Sequence, residues 1–293
     1  MNTVKLNTLP APTFSWLGVN DIQRELDEHN TQSITLTEKR TSIDVSADSA
    51  YEITAQDGEN KFAAMFIGGE NSLQIKTNVD VGSSSQVTLI QVFESKAQTV
   101  SEVSARTAEN AKFELVQLYL HTSDTVSQAD VTLDGRKAGF TANIGYLLDG
   151  SDDLDINLTA KHLGRKTVSG ITAKGVMNGS ARKTFKGTID FARGCAGAAG
   201  TESEDVLLIG EKAVNKTVPL ILCAEEDVEG SHGASIGRVD EQHIFYMMSR
   251  GLPEEKIIQL TAQSKISQIV NSIGDEETAE RIKLILGQGD EDE

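Results

Sequence analysis

A mainly β fold, a solenoid of stacked strands followed by a small helical unit, is what this sequence predicts. Three observations carry that reading. From about Thr31 to Ala224 short runs alternate apolar and polar residues with period two, as in Ser33-Ile34-Thr35-Leu36-Thr37 and Asp153-Leu154-Asp155-Ile156-Asn157-Leu158. Clusters of Gly, Asn, Asp and Ser (DGEN, VGSSS, LDGR, LDGSDD, MNGS) punctuate these runs, and such residues form turns because they tolerate positive φ or bond their own backbone. After Asp240 the apolar residues recur instead at helical spacing.

Three segments follow, 1–30, 31–239 and 240–293. In the first, Trp16, Leu17, Ile22 and Leu26 suggest a short amphipathic element that docks on the main body. In the second, strand centres near Val131, Ile144, Ile156, Ile171 and Phe185 recur about every 14 residues without a strict motif, as in a solenoid that stacks strands rather than identical repeats. A β-helix is favoured on that ground, although a sandwich also gives evenly spaced short strands. In the third, Asp240 suits the N-cap of EQHIFYMMSR, Gly251 ends that helix, and Pro253 opens the next. Ile266, Ile269, Val270 and Ile273 make one apolar stripe on the second helix, and Ala279, Ile282, Ile285 and Leu286 repeat it on a third, before the acidic tail DEDE.

Composition removes several function classes. Asp and Glu number 44 against 27 Lys and Arg, a net charge of −17, and such a surface repels phosphate backbones and anionic lipid, so neither nucleic acid nor membrane is an expected partner. The opening MNTVKLNTLPAPTF lacks an apolar signal core, and no stretch approaches the ~18 apolar residues a bilayer span needs. With only two cysteines, Cys195 and Cys223, there is no disulfide framework, and a cytoplasmic location is expected.

Few residues can carry chemistry. P-loop, GxGxxG, HExxH, GxSxG and paired CxxC signatures are missing, so no catalytic residue is assigned. The stretch GCAGAAG at 194–200 lacks the Lys-Ser/Thr of a phosphate loop and reads as a turned β-loop, in which Cys195 is an incidental thiol or, less favoured, a second ligand. Cys223 to Asp240 is richer: it holds Cys223, His232 and the acids Glu225, Glu226, Asp227 and Glu229, a mixture of soft and borderline ligands that suits iron or zinc. The plainer alternative is a small buried thiol beside a solvated acidic turn. A Cys-His nucleophile pair would need an orienting third residue that is not recognisable. His29, His121, His162 and His243 are scattered and read as ordinary surface or structural residues. With one Trp and 5% aromatic residues, sugar stacking on a β-helical carbohydrate enzyme is poorly supported.

Between Arg182 and Gly251 the chain resembles the C-terminal core shared by the SufB and SufD proteins of iron-sulfur cluster assembly. The residues concerned are Arg182-Lys183-Thr184-Phe185-Lys186-Gly187, Gly197, Gly200, Glu202, Leu207-Leu208-Ile209-Gly210, Pro219, Asp227-Val228, Ser231-His232-Gly233-Ala234-Ser235, Gly237, Asp240, Phe245-Tyr246 and Ser249-Arg250-Gly251. The resemblance implies a right-handed parallel β-helix with a C-terminal helical domain. It implies pairing through the β-helices, as a homodimer or with a SufB-like protein, and a SufC-type ABC ATPase held by the helical domain, with Asp240, Phe245, Tyr246 and Arg250 as candidate contacts. ATP hydrolysis would belong to that partner, and this chain would be a scaffold rather than an enzyme.

The same resemblance implies sulfur delivered by a cysteine desulfurase or another donor, and an iron-sulfur cluster held transiently at the dimer interface. His232 matches the histidine of the family's SHGA motif, and Cys223 stands where SufB-type sequences can carry a cysteine; both are expected at the assembly site, with Glu226 and Glu204 as weaker candidates. Two departures matter. Glu204 occupies the place of SufB's sulfur-accepting cysteine, and Gly233 that of the acidic residue after the SufB histidine, so the chain is more SufD-like here. It is also short, like minimal versions that pair one SufB/SufD-like protein with one ATPase.

Overall fold

In the computed structural model, residues 2–13, 15–26, 31–120, 122–238 and 241–287 are described. Two eight-stranded parallel sheets run side by side, and the chain visits them alternately, so every turn of the solenoid contributes one strand to each. The first sheet holds β3 (Gln32–Leu36), β5 (Ser49–Ala55), β7 (Leu73–Val81), β9 (Thr99–Thr107), β11 (Asp124–Leu133), β13 (Asp153–His162), β15 (Arg182–Phe191) and β17 (Val214–Cys223). The second holds β4 (Arg40–Val45), β6 (Asn60–Ile67), β8 (Gln86–Phe93), β10 (Lys112–Leu120), β12 (Gly139–Leu148), β14 (Val168–Met177), β16 (Ala198–Leu208) and β18 (Val228–Arg238). The expected β-helix is therefore present, and the spacing of strand centres corresponds to half a coil.

Coils of unlike sequence stack because their corners share one backbone conformation. Gly58, Ser84, Asn110, Lys137, Lys166 and Gly197 all adopt positive φ. Each donates its N–H to a carbonyl one coil further on, for instance Asn110 to Arg136 and Lys137 to Arg165, both at 2.9 Å. The repeat is thus conformational, and only some corners use the glycine that the conformation favours. Within 194–200, Gly194 and Gly197 have positive φ and Cys195 is fully buried, so this segment is a tight corner leading into β16.

Inward-facing residues fill the lumen with one apolar core from Leu36 to Val206. Parts of the outer faces are covered as well, which is why strands such as KFELVQLYL are buried on both sides, whereas β7 keeps exposed residues on its outer face. On the second sheet, Phe66, Ile90, Val116 and Leu118 pack under Ile266, Ile269 and Val270 of helix α2 (Glu254–Val270) and Ile282 of α3 (Glu276–Ile285). The predicted helical stripe is the face that docks. Asp275 caps α3 by accepting from the Thr278 N–H at 3.0 Å, and Arg40 on β4 pairs with the same carboxylate at 2.7 Å. Pro253 stands at the N-cap of α2, and Gly251, with φ of 93°, ends α1 (Glu241–Ser249). The expected cap Asp240 and the acidic tail lie outside the described residues.

At the N-terminus the sequence element over Trp16–Leu26 is a 3-10 turn, Ser15–Leu17, followed by strand β2 (Ile22–Leu26) paired antiparallel with β1 (Asn2–Leu6). This hairpin covers the first sheet: Leu6 packs on Val100 and Val126, and Asn7 bonds the Asp155 carboxylate. Lys186, fully buried, closes the contact by donating to Asp155 at 2.8 Å and to the Asn7 carbonyl at 3.1 Å. Among the described residues no helix is long and apolar enough to cross a membrane.

Candidate functional site

The solenoid ends in an open coil. β17 and β18 are edge strands of their sheets, each paired on one side only, and most of β18 is exposed. Cys223 and His232 both belong to this coil, on different sheets. Which way they face follows from pairing, because in-register residues of parallel strands share a face. Cys223 is in register with buried Phe191, and His232 with buried Glu202, so both point toward the lumen mouth. They do not meet within one chain. Gly230 faces Ile221, since a Cβ on it would lie 3.3 Å from that side chain. By the same alternation His232 faces Pro219, four residues from Cys223, which is about 13 Å of strand.

Cys223 is exposed, and its thiol donates to the Glu225 carbonyl at 3.0 Å. The Glu225 carboxylate accepts the Gly194 N–H at 2.8 Å, and this bond, with one from Glu226, holds it below the usual range. Glu226 itself is exposed. Burial pushes the Cys195 thiol up, with the Glu225 charge adding to it and Cys223 contributing further.

Directly beneath the mouth lies a buried polar cluster. Glu204, on the inward side of β16, forms an ion pair with Lys183 of β15, and both side chains are sealed from solvent. Its carboxylate also accepts from Tyr146 Oη at 3.0 Å and from Thr217 Oγ1 at 2.5 Å. The Tyr146 ring reaches it by leaning across Gly175, where a Cβ would lie 2.0 Å from the ring. Burial lowers Lys183 while Glu204 pulls it back, and burial with the Glu204 charge raises the Tyr146 phenol well above its ordinary value.

Glu202 is two residues before Glu204 on the same face. Burial first, then the Glu204 charge, push it up to about 7, against the pull of Lys183. Gly187 makes its room: a Cβ there would stand 2.4 Å from the carboxyl carbon. Glu202 was not singled out as a site residue from the sequence. The signal was available, because period-two alternation places Glu202 and Glu204 on one face of a strand whose other inward residues, Gly200 and Val206, are apolar.

The other candidates sit apart. His162 is fully buried deeper in the solenoid, bonded to Thr167 Oγ1 at 2.7 Å and Ser169 Oγ at 2.9 Å, and burial lowers it to about 4. His29, His121, Asp240 and the side chain of His243 lie outside the described residues. On α1, Phe245 and Tyr246 are 74% and 53% exposed, and the Arg250 guanidinium lies 5.3 Å from the Tyr246 ring centre. Among the described residues no three His, Cys, Asp or Glu side chains converge closely enough to hold a metal ion.

Comparison with known proteins adds to this geometry. The family model of the SufBD core domain, described as SUF system FeS cluster assembly, matches residues 28–264. The iron-sulfur cluster assembly protein SufD of Bacillus subtilis is 30% identical over 176 residues, 59% of this chain and 40% of that protein. SufB of the same organism is 26% identical over 178 residues, 60% of this chain and 38% of that one. A SufBD family protein of Mycobacterium leprae is 26% identical over 199 residues, 68% of this chain and 23% of its own length. The matched stretch spans less than half the length of each of these relatives. Because the family model covers far more than half of this chain, and both eight-stranded sheets and the open terminal coil lie within the match, this chain belongs to the SufB/SufD family of iron-sulfur cluster assembly proteins.

Proposed function

We propose that this chain is a non-enzymatic scaffold of iron-sulfur cluster assembly in the cytoplasm, which pairs with a second SufB/SufD-like chain through its terminal coil and holds sulfur and iron there. The observation that carries this reading is the open edge of β17 and β18, which presents unpaired backbone groups together with inward-facing Cys223 and exposed His232. An edge of that length is a template for another strand. In a homodimer a two-fold axis through the mouth would bring two copies of each side chain toward one place, supplying the ligands that one chain lacks. Iron and sulfide are substrates of this assembly, and the cluster is its transient product. Sulfur would come from a cysteine desulfurase or another donor.

A SufC-type ATPase would bind at the C-terminal helices. The exposed apolar surface of α1 supports this, since Phe245, Tyr246 and Met248 leave large side chains in water on a helix whose neighbour α2 is docked. ATP hydrolysis would reside in that partner. A second reading, a structural SufD-like partner of a complete SufB, is favoured by Glu204, whose carboxylate is taken up by Lys183, Tyr146 and Thr217 where SufB has a thiol. The test is anaerobic co-expression with a SufC-type ATPase: a scaffold copurifies with it and carries iron and acid-labile sulfide, whereas a structural partner gains them only when a complete SufB is added.

A further inference from the structure

Three successive corners on one side of the solenoid carry only positive charge at their tips. Arg136 and Lys137 stand at the corner after β11, Arg165 and Lys166 at the next, and Arg193 at the third, all five exposed. Successive corners lie about 4.8 Å apart. Lys137 donates its N–H to the Arg165 carbonyl and Lys166 to that of Ala196, so Arg165 and Lys166 repeat the places of Arg136 and Lys137 one coil further on, and like charges stack in register. Lys137 and Lys166 also take φ of 59° and 58°, a conformation that favours glycine and for which equivalent corners use Gly58 and Gly197. Glycine at either position would remove both costs. Acids outnumber bases 44 to 27 in the chain, yet among the described residues none of the five forms an ion pair. Asp134 pairs with Arg106 instead, at 2.7 Å, and Glu225, within the field of Arg165, accepts the Gly194 N–H at 2.8 Å. The Lys166 stem crosses Gly197, where a Cβ would lie 3.1 Å from it, which carries its charge toward the next coil.

We propose that this basic ridge is a docking surface for an acidic segment of a partner protein. Three corners span about 10 Å, and acids bound the ridge at both ends, Glu109 before it and Glu225, Glu226 and Asp227 after it. A nucleic-acid backbone or an anionic membrane extends past that length and meets those acids and a surface of net charge −17. A short acidic loop or helix end fits within it. Its carboxylates supply the counter-charge that the stacked corners lack, and a patch opposite in sign to its surroundings steers the encounter. The docked segment lies one coil from the coil of Cys223. This surface is apart from both the β17–β18 edge and helix α1, so it goes beyond the contacts proposed above.

A fluorescein-labelled decaglutamate peptide is the probe, read by fluorescence anisotropy with the full chain at low ionic strength. Wild type should bind it, with affinity falling as salt is added. Lys137→Gly/Lys166→Gly should bind about tenfold more weakly or worse while melting no lower than wild type, because glycine suits both backbone angles. Arg136→Gln/Arg165→Gln, at exposed positions, should lose as much binding and decides the question if the glycine variant does not fold. Lys39→Gln/Lys96→Gln makes the same change in net charge at exposed sites elsewhere and should bind like wild type. The proposal is overturned by absence of binding in wild type, by wild-type binding in the ridge variants, or by equal loss in the Lys39 and Lys96 variant. Tighter binding of a ten-nucleotide oligothymidylate than of the peptide would overturn it as well.

Discussion

Lys183 and Glu204 form an ion pair closed off from solvent inside the solenoid, one coil from its open end, with Tyr146 and Thr217 completing the carboxylate's bonds. A pair of this kind adds little net stability when intact, but losing one partner strands the other charge. Lys183→Met should therefore cost about 3–5 kcal/mol in urea unfolding, and Lys183→Met/Glu204→Met should recover most of it. Additive losses in the double variant would mean that the two side chains do not act as a pair.

Gly175 sets where Tyr146 can lie. In Gly175→Ala the new Cβ would meet the ring 2.0 Å away, so the ring must move and its bond to Glu204 must break. Destabilisation of about 1–3 kcal/mol is expected, and Tyr146→Phe in the same background should add little further. Wild-type stability of Gly175→Ala would place the ring elsewhere.

Stability should depend on pH through Glu202. Its folded-state value, about 7, lies above the ordinary 4.5, so the fold prefers the protonated form. That contribution is fully present below about pH 4.5 and is lost as pH rises through about 7, with an upper bound of about 3 kcal/mol. Glu202→Gln does not titrate and should gain on wild type between pH 5 and pH 8 in urea midpoints. A constant difference across that range would contradict the assignment.

Helix α3 is held by Asp275, which caps it and pairs with Arg40. Asp275→Ala should cost about 1–2 kcal/mol, with faster amide exchange confined to α3 and the adjoining part of α2. Protection lost evenly over the solenoid would show that the helix is not a separately held unit.

Substituting both Phe245 and Tyr246 by Ala should leave the melting temperature within about 2 °C of wild type, because both side chains are exposed. Copurification with a SufC-type ATPase should nevertheless fall sharply. Undiminished binding would move the ATPase contact away from α1.

The fold was legible in the sequence where periodicity is a direct image of geometry. Period-two runs such as that around Ile156 became strands, and the stripe Ile266, Ile269, Val270 became the docking face of α2. The corners at Ser84 and Gly197 fell within stretches read as turns, whereas Asn110 and Lys137 share with them a dihedral angle and not a residue type. Around Trp16 the apolar spacing left the type of element open; the hairpin depends on Asn7, Asp155 and Lys186, residues far apart in the chain. At the mouth, Cys223 and His232 stood out by chemistry and by the family motif. Glu202 was among the residues that carry the resemblance and its alternation with Glu204 was readable, but that its Oε2 is buried without a partner depends on packing against Gly187 of the facing strand.

The most direct test of the scaffold at the terminal coil compares wild type, Cys223→Ala and His232→Ala, each co-expressed anaerobically with a SufC-type ATPase. Bound iron, acid-labile sulfide and the visible charge-transfer absorption are then measured on the purified complex. Loss of iron and sulfide in either variant, with the complex intact, is the result expected of an assembly site at this edge. Unchanged loading in both variants would contradict it and would leave this chain a structural partner.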